Sequence, residues 1–149
     1  MYKKILAAID LTPNENAVLD HTRELAHLAS ATVHLLHIAP LHHIPGEIIG
    51  GGRLGVVSGE DDIAPDDRRM IREAVAHVTS AKGVTATGEV LAATEHDIAD
   101  VILRRARELR AELIVLGETL HRGPSKLFRA SVADQVIHHH PPCAVLLVP

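Results

Sequence analysis

Short apolar runs alternate with amphipathic helical stretches along this 149-residue chain. No other feature limits its fold as much. Residues 3–10, KKILAAID, form a nearly continuous apolar run closed by a carboxylate. Such a run suits a parallel strand covered on both faces. Residues 32–38 (TVHLLHI), 113–116 and 144–148 read as further strands, and 84–90 as a weaker, alternating one. Helical patterns lie between them. One opens at Thr12-Pro13-Asn14-Glu15, with Thr12 as N-cap, Pro13 at the first helical position and Glu15 completing a capping box. It places Val18, Leu19, Thr22, Leu25, Ala26 and Ala29 on one face. A second spans about 65–80, with Ile71, Ala74, Val75 and Val78 inward. A third spans about 94–109 and aligns Ile98, Val101, Ile102, Ala106 and Leu109. A short fourth helix opens at Ser131.

This order implies a single-domain α/β fold over residues 1–149, an open five-stranded parallel sheet. Right-handed crossovers put helices on both faces. The irregular stretch 41–64 holds Gly46, Gly50, Gly51, Gly52, Gly55 and Gly59 and reads as a mobile loop. Its Gly50-Gly51-Gly52-Arg53-Leu54-Gly55 formally matches a dinucleotide fingerprint. That motif belongs between a first strand and its helix, so here it reads as a flexible glycine-rich loop.

Composition removes several classes of function. A net charge of −4 argues against a nucleic-acid surface. No apolar run reaches the roughly 18 residues that would span a membrane. The N-terminus enters a strand-like run at once and lacks a signal-peptide pattern. Cys143 is the single cysteine, which excludes an internal disulfide and fits a reducing compartment. The expected location is cytoplasmic. Tyr2 and Phe128 are the only aromatic residues, so any bound ring must pack on aliphatic side chains.

Two places carry chemistry. Asp10 ends the first strand. With strand order 3-2-1-4-5 it faces Gly117, at the end of the fourth strand, across the crevice where the order reverses. Asp10 reads equally as a cap for the turn at Thr12. Gly117 itself feeds a loop and then the helix at Ser131. A strand, glycine, loop and helix start is a common way to hold a phosphate on backbone N–H groups. Ser131 is a cap first in that position and a phosphate ligand second. No nucleophile elbow, HExxH or Cys/His pair in a recognisable context appears, so catalytic residues are not expected. The 12 histidines include His138-His139-His140 and the group His34, His37, His42 and His43. Consecutive helical residues diverge by roughly 100°, so the triplet cannot close on one ion. Histidines at a helix C-terminus also suit its dipole, and no metal site is expected.

The segments KKILAAIDLTPNENAVLDHTRELA, LLHIAP and AELIVLGETLHRGPSKLFRASVADQVIHHHPPCAVLLVP resemble the universal stress protein (UspA) family in order and spacing. The resemblance covers the chain apart from 41–64. It implies a Rossmann-like sheet of the adenine nucleotide alpha hydrolase kind, and homodimers paired through the last strand. Some members bind ATP through Gly, two residues, Gly, nine residues, Gly and Ser/Thr. On this chain Gly117 and Ser131 fit that pattern, while Leu120 and Ala130 stand where two glycines belong. The adenosine side falls on Asp10 and the backbone of Ile38, and Val132 completes the implied crevice. A Cβ at a glycine held at positive φ costs about 1 kcal/mol or more, and Leu120 also takes space that phosphates need. His121, Arg122 and Lys126 offer cationic compensation. The expectation is a non-enzymatic stress-response protein with ATP binding weakened or lost. The alternative is a nucleotide-driven switch or slow ATPase using ATP with Mg²⁺.

Overall fold

The computed structural model describes residues 1–10, 15–40, 65–118 and 131–149. Its elements run β1 (Lys4–Ile9), α1 (Glu15–Ala29), β2 (Thr32–Pro40), α2 (Pro65–Thr79), β3 (Thr85–Ala93), α3 (Ile98–Leu109), β4 (Leu113–Gly117), α4 (Val132–His138) and β5 (Ala144–Val148). The strands form one sheet in the order β3-β2-β1-β4-β5, and every pair is parallel. This is the expected order. The segments 11–14, 41–64 and 119–130 lie outside the described residues. They hold the expected cap at Thr12, the glycine-rich loop, and Leu120 and Ala130.

Strand alternation sorts the side chains into two layers. Ile5, Ala7, Ile9, Val33, Leu35 and Val115 pack under α1 and α2 with Val18, Leu19, Ala26, Ile71, Ala74 and Val78. Leu6, Leu36, Ile114 and Leu116 pack under α3 and α4 with Ala99, Ile102, Leu103, Ala106, Ala133 and Val136. Runs that are apolar in both registers therefore fill both cores. This explains why β1 and β4 lie centrally and read as continuous apolar stretches.

Three local differences from the sequence reading have physical causes. β2 and β3 run to Pro40 and Ala93, paired residue by residue from Thr32↔Thr85 to Pro40↔Ala93. Each strand gains its extra length from the other. α3 begins at Ile98 rather than Thr94. The Thr94 hydroxyl donates to the Asp97 carboxylate at 2.5 Å and the Asp97 N–H to the Thr94 carbonyl at 3.0 Å. These bonds make a turn before the helix and leave Asp97 as an N-cap without a side-chain cap bond. Finally, Gly88 in β3 lets α2 approach closely. A Cβ there would stand 2.7 Å from Ile71 Cγ1 and 2.8 Å from Val75 Cγ2.

Candidate functional site

The sheet brings the expected crevice residues to one end. The last paired residues of β1 and β2 are Ile9 and His37, so Asp10 and Ile38 each stand one step beyond. On the other side, Ala8 pairs with Leu116, and Gly117 follows it. Asp10, Ile38 and Gly117 thus occupy the carboxyl ends of β1, β2 and β4. β1 and β4 flank the point where the strand order reverses, the usual place for a ligand in an open parallel sheet. The helix α4 runs back between parallel β4 and β5, so its first residues, Ser131 and Val132, start from this same end.

The groups there differ in exposure. Asp10 is exposed, and Ile38, Gly117, Ser131 and Val132 are partly buried. Ile38 and Val132 also pack against the core under α3 and α4, which supplies an aliphatic floor. Gly117 is tightly placed. A Cβ on it would come within 3.2 Å of Val18 Cγ2.

The start of α4 is chemically occupied. The Ser131 hydroxyl accepts from the Asp134 N–H at 3.0 Å and donates to the Asp134 carboxylate at 3.0 Å. The same carboxylate accepts from the Ser131 N–H at 3.3 Å. This reciprocal capping box engages the Ser131 hydroxyl and the Ser131 and Asp134 N–H groups. It also brings a carboxylate to the first turn of α4, where the helix dipole would otherwise favour an anion. After Gly117, the Glu118 N–H donates to the Val148 carbonyl at 2.7 Å, so that donor serves the sheet. Sequence reasoning placed Ser131 as a cap but passed over Asp134. Its signal was present as Ser-x-x-Asp before an apolar turn.

His37 is 5 % exposed and lies under α2. Its Nδ1 meets the Ile9 carbonyl at 3.0 Å, and its Nε2 stands 3.7 Å from Asp67 of α2. His34 projects from the opposite face of β2. There its Nδ1 lies 2.9 Å from the Thr87 hydroxyl. Its Nε2 lies 3.3 Å from Glu89, off the line of a hydrogen bond. The two strand histidines therefore do not converge, and His42 and His43 lie outside the described residues. Among the described residues, no group of three or more His, Cys, Asp or Glu side chains could hold a metal ion. His139 contacts Asp100 at 3.2 Å. Cys143 is partly buried, and burial raises its thiol pKa.

Near the β3 edge, Arg105 of α3 binds Glu89 through Nε at 2.5 Å and through Nη2 at 2.9 Å, and reaches Glu108 at 2.9 Å. Burial opposes the charge on Glu89, but the contacts with His34 and Arg105 outweigh it and lower its pKa. This cluster binds α3 to the sheet and lies apart from the crevice. No described helix is long and apolar enough to cross a membrane.

Comparison with known proteins agrees with this architecture. The family model described as the universal stress protein family matches residues 1–149. Universal stress protein A homolog 1 of Coxiella burnetii is 32% identical over 142 residues, covering 92% of this chain and 90% of its own. A universal stress protein family structure from Burkholderia pseudomallei is 27% identical with a TM-score of 0.68, covering 99% of this chain and 96% of that one. The universal stress protein of Archaeoglobus fulgidus in complex with dAMP shares the fold at 23% identity and a TM-score of 0.68, covering 99% of this chain and 98% of that one. The chain belongs to the universal stress protein family.

Proposed function

We propose that this protein is a non-enzymatic, cytoplasmic stress-response module whose crevice takes an adenine nucleotide mainly by its nucleoside end. In this reading the Asp10 carboxylate and the Ile38 backbone hold the ribose and base, with Ile38 and Val132 as the aliphatic surface. The phosphates gain little. One observation carries the reading: the capping box of Ser131 and Asp134 already fills the start of α4. Leu120 and Ala130, in place of two glycines, act in the same direction. These residues suit a nucleoside and do not suit a tightly held triphosphate with Mg²⁺. The nucleotide-driven switch and slow ATPase require those phosphate contacts, so they rank second. The protein also acts as a homodimer paired through β5. That strand ends the described sheet, and its outer edge has no strand partner among the described residues.

The test is isothermal titration of nucleotide-stripped protein with AMP, dAMP, cyclic AMP and Mg²⁺-ATP. Similar affinity for AMP and ATP supports the reading. ATP binding far tighter than AMP would establish working phosphate contacts and promote the switch. Asp134→Asn, which removes the charge and keeps the size, should improve ATP binding more than AMP binding.

A further inference from the structure

His37 and Thr22 are the buried polar side chains of the described core. Along β2, His37 follows Val33 and Leu35 on the face under α1 and α2, where its neighbours are apolar. Placing an imidazole there dehydrates a polar group and gains nothing in packing over a branched aliphatic residue. Its hydrogen bond gives it another use. A carbonyl oxygen only accepts, so the contact with the Ile9 carbonyl requires the proton on Nδ1. On the far side of the ring, Nε2 and Asp67 Oδ1 are 3.7 Å apart, beyond hydrogen-bond length. The ring thus spans from the end of β1 to the first turn of α2. Ile9 precedes Asp10, and His37 precedes Ile38. Of the two residues assigned to the nucleoside end, Asp10 thus follows the carbonyl that this ring holds, and Ile38 follows the histidine itself.

We propose that His37 is a positioning residue for the crevice. Its Nδ1–H bond fixes the Ile9 carbonyl, and so sets the height at which Asp10 stands beside the Ile38 backbone to share one adenine nucleoside or nucleotide. The ligand rests on the function proposed above; the positioning of Asp10 does not.

Two substitutions separate positioning from packing. Asn at position 37 keeps an amide nitrogen near Nδ1 and can still donate to Ile9. Gln carries its amide nitrogen near Nε2 and directs it towards Asp67. Both lose the ring, so both lower the thermal midpoint. His37→Asn should keep AMP and dAMP affinity within about twofold, whereas His37→Gln should weaken it about tenfold, the effect of one buried hydrogen bond. Equal weakening in both variants, or none in either, overturns the proposal. Nitrogen NMR supplies a ligand-free readout. Positioning requires the Nδ1–H tautomer of His37, and an Asp10 amide resonance displaced in His37→Gln but not in His37→Asn. An Nε2–H tautomer, or equal displacement in both variants, overturns it. If the wild type binds none of the nucleotides, the function proposed above fails, and these resonances alone decide the role of His37.

Discussion

At the residue scale, polar groups inside this fold are either paired for a purpose or left as a cost. Thr22 is fully buried in α1, and its hydroxyl has no hydrogen-bond partner among the described residues. Thr22→Val should therefore raise stability by about 1 kcal/mol, seen as a higher midpoint in urea. Glu89 is the opposite case. Its folded pKa is lowered, so its contribution is present above the ordinary glutamate value of 4.5 and is lost as pH falls through the folded value. Glu89→Gln should cost about 1 kcal/mol at neutral pH. That difference from wild type should shrink in acid, below the ordinary value. A constant difference across the acid range would remove the pairing with Arg105 as its cause. The sequence exposed such residues unevenly. Asp10 and Gly117 were legible because each closes an apolar run. The Asp134 capping contact was legible as Ser-x-x-Asp but passed over. The buried ring of His37 was not legible, since it depends on which face of β2 meets α2.

At the element scale, α2 lies close on β3 because Gly88 leaves room. Gly88→Ala should destabilise the protein by about 1–3 kcal/mol, since Ile71 and Val75 must move out of packed positions. Unchanged thermal unfolding of this variant would mean that α2 is not seated as described. The periodicity of the sequence identified α2 almost to its ends, and its inward residues Ile71, Ala74 and Val78 are buried. α3 was read one turn too long. Thr94 looked like a helix start, but its hydroxyl bonds Asp97 in the preceding turn. β3 was the weakest strand in the sequence because it is an edge strand whose first half is poorly covered, so its apolar signal is diluted by Thr85, Thr87 and Glu89. Hydrophobic pattern reports burial, and burial is incomplete there.

At the scale of the whole molecule, the strand order places the crevice between β1 and β4 and leaves β5 at an edge. Alternating strands and helices with right-handed crossovers made the parallel sheet and its two helical layers legible before any distance was known. The order 3-2-1-4-5 rested instead on the family resemblance, because other doubly wound orders obey the same rule. The edge bears on assembly. Ala144 is exposed at the start of β5. Ala144→Lys should shift sedimentation from dimer towards monomer while leaving the circular dichroism spectrum of the fold intact. A dimer unaffected by this charge would place the interface elsewhere.

The central claim is that the crevice retains its nucleoside end and has lost its phosphate end. Its most direct measurement is calorimetric titration with AMP and Mg²⁺-ATP, in parallel, of the wild type and of the Leu120→Gly/Ala130→Gly double variant. The account predicts AMP and ATP affinities within about threefold of each other in the wild type, and an ATP preference of about tenfold or more in the variant. Wild-type ATP binding much tighter than AMP binding, and unchanged by the two glycines, would contradict it.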